Sequence, residues 1–134
     1  MSETGKMQKK DFAKRTMLFG LRVIRLVESL PKSQTAYVIG NQLLRAGTSV
    51  GANYRSALRG KSRADFIAKL GIVEEECDEA LYWMQMLIEA GIIKTSRLTQ
   101  LMNEENEIIA IVVSSIKTAR SRGSSPQSGL RNPK

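Results

Sequence analysis

The stretch "LLRAGTSVGANYRSALRGKSRADF", residues 43–66, decides how the chain is read. It sets Gly47, Gly51 and Gly60 among strong helix formers. It also carries Arg45, Arg55, Arg59, Lys61 and Arg63. Three readings compete: a loop that cradles a phosphate, a helix face notched for close packing, and a basic surface for nucleic acid. A Walker-type loop needs G-x-x-x-x-G-K-[ST] between a strand and a helix. Gly47 and Gly51 are only four apart, no lysine follows Gly51, and no strand pattern precedes it. The phosphate loop is set aside.

Placed on a helix at about 100° per residue, Gly40, Leu44, Gly47, Gly51 and Leu58 fall on one strip about 60° wide. Leu43, Val50 and Tyr54 flank it, followed by Ile39, Ala46 and Ala57. The small or apolar arc spans about 160°, wider than the ~100° stripe that one core face needs. Each glycine costs about 0.5–1 kcal/mol of helix propensity relative to alanine, so close packing must offset the loss. The arc is wide enough for packing within the chain and for packing a second chain. Gly47, Gly51, Asn53 and Tyr54 are the candidate self-association contacts. The last two would add directional polar contacts at an interface, where tyrosine is enriched.

Helical periodicity extends to both sides. Phe12, Thr16, Phe19, Val23, Leu26 and Leu30 share one face of a first segment, about Lys10 to Leu30. Pro31 stops it, and Ser33 is placed to cap a second helix over about 34–59. A third runs from about Arg63 to Ala90, capped by Ser62, with Asp65 in its first turn and Gly91 as its stop. Its spine is Phe66, Leu70, Val73, Cys77, Ala80, Met84 and Leu87. A fourth opens at Thr95 or Ser96 and reaches about Arg120, with Leu98, Leu101, Glu105, Ile108 and Val112 along one seam. Short links between long helices predict an all-α, antiparallel, up-down-up-down four-helix bundle. The expected organisation is a flexible basic N-terminus (1–9), the bundle (10–120), and a disordered, basic, Ser/Gly/Pro-rich tail (121–134).

Composition narrows the function. At 134 residues the chain is one domain with one core. There is no histidine, which removes Ser-His-Asp and Cys-His catalysis and the commonest metal ligand. The single cysteine, Cys77, supports no disulfide framework and falls on a helix spine, as a small core residue does. The polar start MSETGKMQKK has no apolar signal core, and no apolar run reaches the ~18 residues of a membrane span, so the expectation is a cytoplasmic protein without a membrane role. No constellation of side chains calls for an enzyme, a cofactor or a metal.

The net charge of +8 attracts polyanions. Arg55, Arg59, Lys61, Arg63 and Lys69, with Asp65 the one acid among them, cluster where the second helix turns into the third. Arginine forks suit phosphate geometry, which makes these five the candidate nucleic-acid contacts. The only aromatic within the block is Phe66, a spine residue, so contact through backbone phosphates is favoured over base stacking. The acidic run Glu74-Glu75-Glu76-Cys77-Asp78-Glu79 lies on one helix, where like charges repel and ligand geometry is poor. Glu74 lies at the edge of the spine and needs a partner. An ion pair with Arg45 or Arg55, within or between chains, is expected.

The run "LPKSQTAYVIGNQLLRAGTSVGANYRSALRGKSRADFIAKLGIVEEECDEALYWMQMLIEAG", residues 30–91, resembles the bacterial four-helix bundle proteins named after the intervening sequence of 23S ribosomal RNA. Those share the order L-P-K, then Q-L-x-R-[SA]-x-x-S-[VI]-x-x-N-[IY], then F-x-x-x-L-x-[IV]-[AV]-x-[GE]-[ES]. Here the matching residues are Gln42, Leu43, Arg45, Ala46, Ser49, Val50, Asn53 and Tyr54, then Phe66, Leu70, Ile72, Val73, Glu75 and Glu76. The resemblance extends over about residues 11–120. It implies a bundle that assembles as a homopentameric ring, with no catalytic motif. Its relatives include the accessory protein of diversity-generating retroelements, which partners a reverse transcriptase and binds nucleic acid through a basic surface. The resemblance therefore implies RNA or DNA as partner, or a protein partner such as a reverse transcriptase.

Overall fold

The computed structural model describes the backbone of residues 2–123 and the side chains of residues 9–122. Four helices follow one another: α1 (Ser2–Glu28), α2 (Gln34–Leu58), α3 (Arg63–Glu89) and α4 (Thr95–Gly123). Each is roughly 40 Å long at 1.5 Å per residue. The links, residues 29–33, 59–62 and 90–94, are too short to cross a bundle, so each helix returns beside the last.

The helix ends follow local chemistry. Ser33 is extended, and its hydroxyl accepts the Ala36 N–H at 3.1 Å. Ser62 does the same for the Asp65 N–H at 3.1 Å. Each satisfies a backbone donor that the first helical turn leaves without a partner. α3 closes in a Schellman motif. Gly91 is left-handed, with φ 72°, its N–H reaches the Ile88 carbonyl at 2.9 Å, and the Ile92 N–H reaches the Leu87 carbonyl at 3.0 Å.

Two ends differ from expectation. α1 starts at Ser2 rather than Lys10, so the expected division after residue 9 is not a helix boundary. Residues 2–9 are rich in Glu, Lys, Met and Gln, all good helix formers, and no proline precedes Pro31. α4 likewise runs to Gly123, past Arg120, because no breaker intervenes before Pro126. The rest of the expected tail, 124–134, lies outside the described residues.

The helices run antiparallel. Along α2, Gly40 faces Val27 of α1 and Leu30 of the following link, Gly47 faces Val23, and Gly51 faces Thr16, so partner numbers fall as α2 advances. α4 runs against α1 in the same way, with Arg97 bonded to Ser29 at one end and Glu104 to Arg15 further along. Phe19, Val23, Leu43, Val50, Leu70, Val73, Met84, Leu87, Leu98, Ile108 and Val112 are fully buried, drawing on all four helices. Each such side chain contributes about 1.5–3 kcal/mol of burial. The α3 spine is buried as its spacing indicates, apart from Phe66, which is half-buried.

The glycine strip is used inside the chain. A Cβ on Gly47 would lie 2.8 Å from Val23 Cγ2, and one on Gly51 would lie 3.3 Å from the Thr16 backbone. Val23 thus occupies the notch that Gly47 leaves, and α1 and α2 approach almost backbone to backbone.

Candidate nucleic-acid interface

Antiparallel topology gathers the start of α1, the α2–α3 turn and the end of α4 at one end of the bundle. Lys9 and Lys10 come from α1, Arg55, Arg59, Lys61, Arg63 and Lys69 from the turn, and Lys117, Arg120 and Arg122 from α4. Among the residues with described side chains, the acids in the same segments are Asp11 and Asp65. A direct contact joins two of the three elements: the Lys9 ammonium lies 5.5 Å above the centre of the Phe66 ring, a cation–π distance.

The five candidate contacts from the turn are not equivalent. Arg55, Arg59, Lys61 and Arg63 are exposed, and none forms an ion pair with another described residue. Lys69 is half-buried, and its ammonium is 3.4 Å from the Asp65 carboxylate, one helical turn away. The same carboxylate accepts the Lys61 backbone N–H at 3.0 Å. That backbone bond, then Lys69, holds the Asp65 carboxyl below its ordinary range. Asp65 therefore shapes the turn and offsets part of the charge of Lys69 and, to a smaller degree, of Lys61, while Arg55, Arg59 and Arg63 stay exposed.

Two arginines along the middle of the bundle are engaged. Arg15 forks onto Glu104 at 2.6 and 2.8 Å and also reaches Glu107, tying α1 to α4. Its charge is withdrawn from the basic cluster near the start of α1. Arg45 lies 2.6 Å from Glu79 and 4.0 Å from Glu76. The expected Arg45–Glu74 pair is therefore corrected. Glu76 and Glu79 flank the α3 spine on the side that meets α2, and Glu74 lies on the other flank, about 140–160° of helical rotation from both.

The residues expected to carry self-association all have contacts within the chain. Gly47 and Tyr54 are buried within the chain, and Tyr54 packs edge-to-face on Phe12 with ring centres 4.7 Å apart. Asn53 turns its amide back to the Ser49 carbonyl at 3.0 Å, and Gly51 abuts Thr16. Most of the wide arc of α2 is filled, from one side by α1 and from the other by α3, while Leu58 at its C-terminal end stays exposed. Of the exposed large apolar side chains, Met17, Leu18 and Leu21 lie together on the outer face of α1.

One buried group escaped the sequence reading. Glu105 is fully buried, and both carboxylate oxygens lack a hydrogen-bond partner. Burial, then the charge of Asp78, pushes its pKa from 4.5 up to about 9, so it is a neutral acid at neutral pH. The signal was present: Glu105 sits squarely on the apolar seam of α4, a stronger reason for concern than the flank position of Glu74. Burial, then Glu105, pushes the neighbouring Cys77 thiol well above its ordinary range. Cys77 is thus a protonated core residue and a poor nucleophile. Among the described residues no cluster of three acidic or sulfur ligands could hold a metal ion, and no helix is long and apolar enough to cross a membrane.

A family model described as "23S rRNA-intervening sequence protein" matches residues 8–114. The crystal structure of a protein from Bacteroides thetaiotaomicron, described as of unknown function and from the S23 ribosomal protein family, is similar to this chain. The two are 36% identical with a TM-score of 0.76, over 81% of this chain and 97% of the other. Comparison with curated proteins gives no match.

Proposed function

The chain belongs to the 23S rRNA-intervening sequence protein family, and from that premise we propose that it is a non-enzymatic bundle that binds RNA or DNA through its basic end. The observation that carries this reading is the contrast in pairing. Arg15 and Arg45 are neutralised by carboxylates, whereas Arg55, Arg59, Lys61 and Arg63 stand exposed and form no ion pair with a described residue. The fold adds Lys9, Lys10, Lys117 and Arg122 to the same end. Such a surface neutralises phosphates and releases their counterions. Guanidinium forks at 55, 59 and 63 would engage phosphate oxygens two at a time.

The test is a titration of fluorescently labelled RNA at two salt concentrations. Binding should fall steeply with salt, by a log-log slope of about 0.7–0.9 per phosphate contacted. The double variant R59E/R63E should weaken binding at least about tenfold and lower the slope by about two, with an unchanged helical circular dichroism spectrum. Absence of binding at low salt, or binding indifferent to salt, overturns the reading.

One observation favours a second reading, a ring-shaped scaffold or accessory subunit for an enzyme such as a reverse transcriptase. Met17, Leu18 and Leu21 are 55%, 50% and 40% exposed on one helix face, more apolar surface than a solvated helix needs. With Gly47 and Tyr54 occupied inside the chain, this face is the better candidate for the self-association that the family resemblance implies. Light scattering of L18E/L21E should report a smaller particle than the parent chain. A parent chain that is already monomeric removes the ring, including the expected homopentamer.

A further inference from the structure

We infer that the basic end takes double-stranded nucleic acid, gripping the phosphates of both strands and leaving the bases unread. The inference rests on the phosphate-binding reading above and specifies which form of nucleic acid satisfies it.

Two features of the end carry it. The first concerns aromatic rings. Single-strand binders line a basic groove with rings on which successive bases stack. Here no described ring near the basic end is strongly exposed. Phe12 and Tyr54 are 7% and 5% exposed and packed on each other. Phe66 is half-buried, with the Lys9 ammonium over its face. The strongly exposed rings are Tyr37, at the opposite end of α2, and Tyr82, four turns beyond Phe66 along α3. A base reaching the basic end finds ammonium and guanidinium groups and no open ring to stack on.

The second feature is the layout of the charge. The cations come from the corners of a bundle end, α1, the α2–α3 turn and α4, instead of following a single channel. With helix axes 8–10 Å apart and side chains projecting outward, the end is ~20 Å across. Over that length of axis a duplex presents about twelve phosphates on two strands, one per ~1.7 Å, whereas one strand presents about six. A two-dimensional array of cations meets more charge on the duplex. It also suits recognition by shape and backbone, the mode by which proteins hold double-stranded RNA.

The experiment uses the full chain and three labelled probes of one mixed 20-nucleotide sequence: an RNA duplex, the DNA duplex, and the RNA single strand. All are titrated at the same salt concentration. At least one duplex should bind about tenfold more tightly than the single strand, and changing the duplex sequence should leave affinity within about twofold. The two duplex arms identify which helix geometry the end prefers. A single strand that binds as well as or better than both duplexes overturns this inference and leaves phosphate binding standing. Failure of all three probes to bind overturns the phosphate-binding reading itself.

Discussion

The seam between α1 and α2 and the seam that α4 closes hold the bundle by opposite means. The first is dry and steric: Gly47 leaves a notch, Val23 fills it, and Gly51 lets the Thr16 backbone come close. The second places a carboxyl group in the core at Glu105 with no partner for either oxygen, and fastens its outer edge with Arg15, Glu104 and Glu107. α2 is thus fixed by shape, where any added atom is felt. α4 is held by apolar burial that must overcome a costly polar group. The difference teaches where this sequence tolerates change: least on the glycine side, most on the side of Glu105.

The largest effect should come from filling the notch. Gly47→Leu drives a branched side chain into Val23, whose χ1 is stiff and whose surroundings are fully packed. A loss of about 3 kcal/mol or more is expected in urea unfolding at fixed protein concentration. The paired control is Gly71→Ala in the middle of α3, where an added Cβ meets nothing within 4 Å. It should gain about 0.5–1 kcal/mol from helix propensity alone. Equal effects at 47 and 71 would show that the glycines of α2 serve no packing role, and the contrast between the seams would collapse.

The second effect has the opposite sign. Glu105 holds its proton in the folded chain up to about pH 9 and releases it near 4.5 when unfolded. The folded state therefore binds more protons between those values, and stability falls as pH rises through that window. The slope approaches 1.4 kcal/mol per pH unit. Glu105→Gln should remove this slope, and Glu105→Leu should stabilise the chain by about 1–4 kcal/mol at pH 7, as apolar replacement of a buried ionisable group often does. Denaturation of both variants and the parent from pH 5 to 9 checks it. Identical profiles for parent and Gln variant would mean that the carboxyl is solvated or paired.

How far the sequence reached depends on the range of the interaction. Ser33, Ser62, Pro31 and Gly91 act within a turn of themselves, so the four helices and most of their ends could be read directly. The width of the α2 arc was legible as well, but its occupant was not. Whether a strip of glycines receives a helix of the same chain or of another depends on the angle at which α1 returns, which residue spacing does not encode. Glu74 shows the same limit. Its distance from the spine could be counted along α3, but which flank meets α2 is set by the packing of three helices. At the basic end, the turn cations were evident from their clustering. The removal of Arg15 by Glu104, a residue 89 positions away, was not.

The smallest effect separates two adjacent residues of α4. Glu104 points outward to Arg15, and that hydrogen-bonded pairing holds its carboxyl below the ordinary range. Its contribution is present above the unfolded value and is lost as pH falls through the folded one, the reverse of Glu105. Because Arg15 is about one-third exposed, solvent screening limits the pair to about 0.5–1 kcal/mol. Glu104→Gln should therefore cost about that much at pH 7 in low salt and progressively less in high salt, and nothing once the pH has fallen below the lowered folded-state value, where the parent carboxyl is itself protonated. Glu105→Leu should stabilise at neutral pH whatever the salt, since its origin is burial. If both variants shift stability in the same direction at pH 7, the two carboxyls share one environment, and the division of α4 into a buried acid and an outer clasp is wrong.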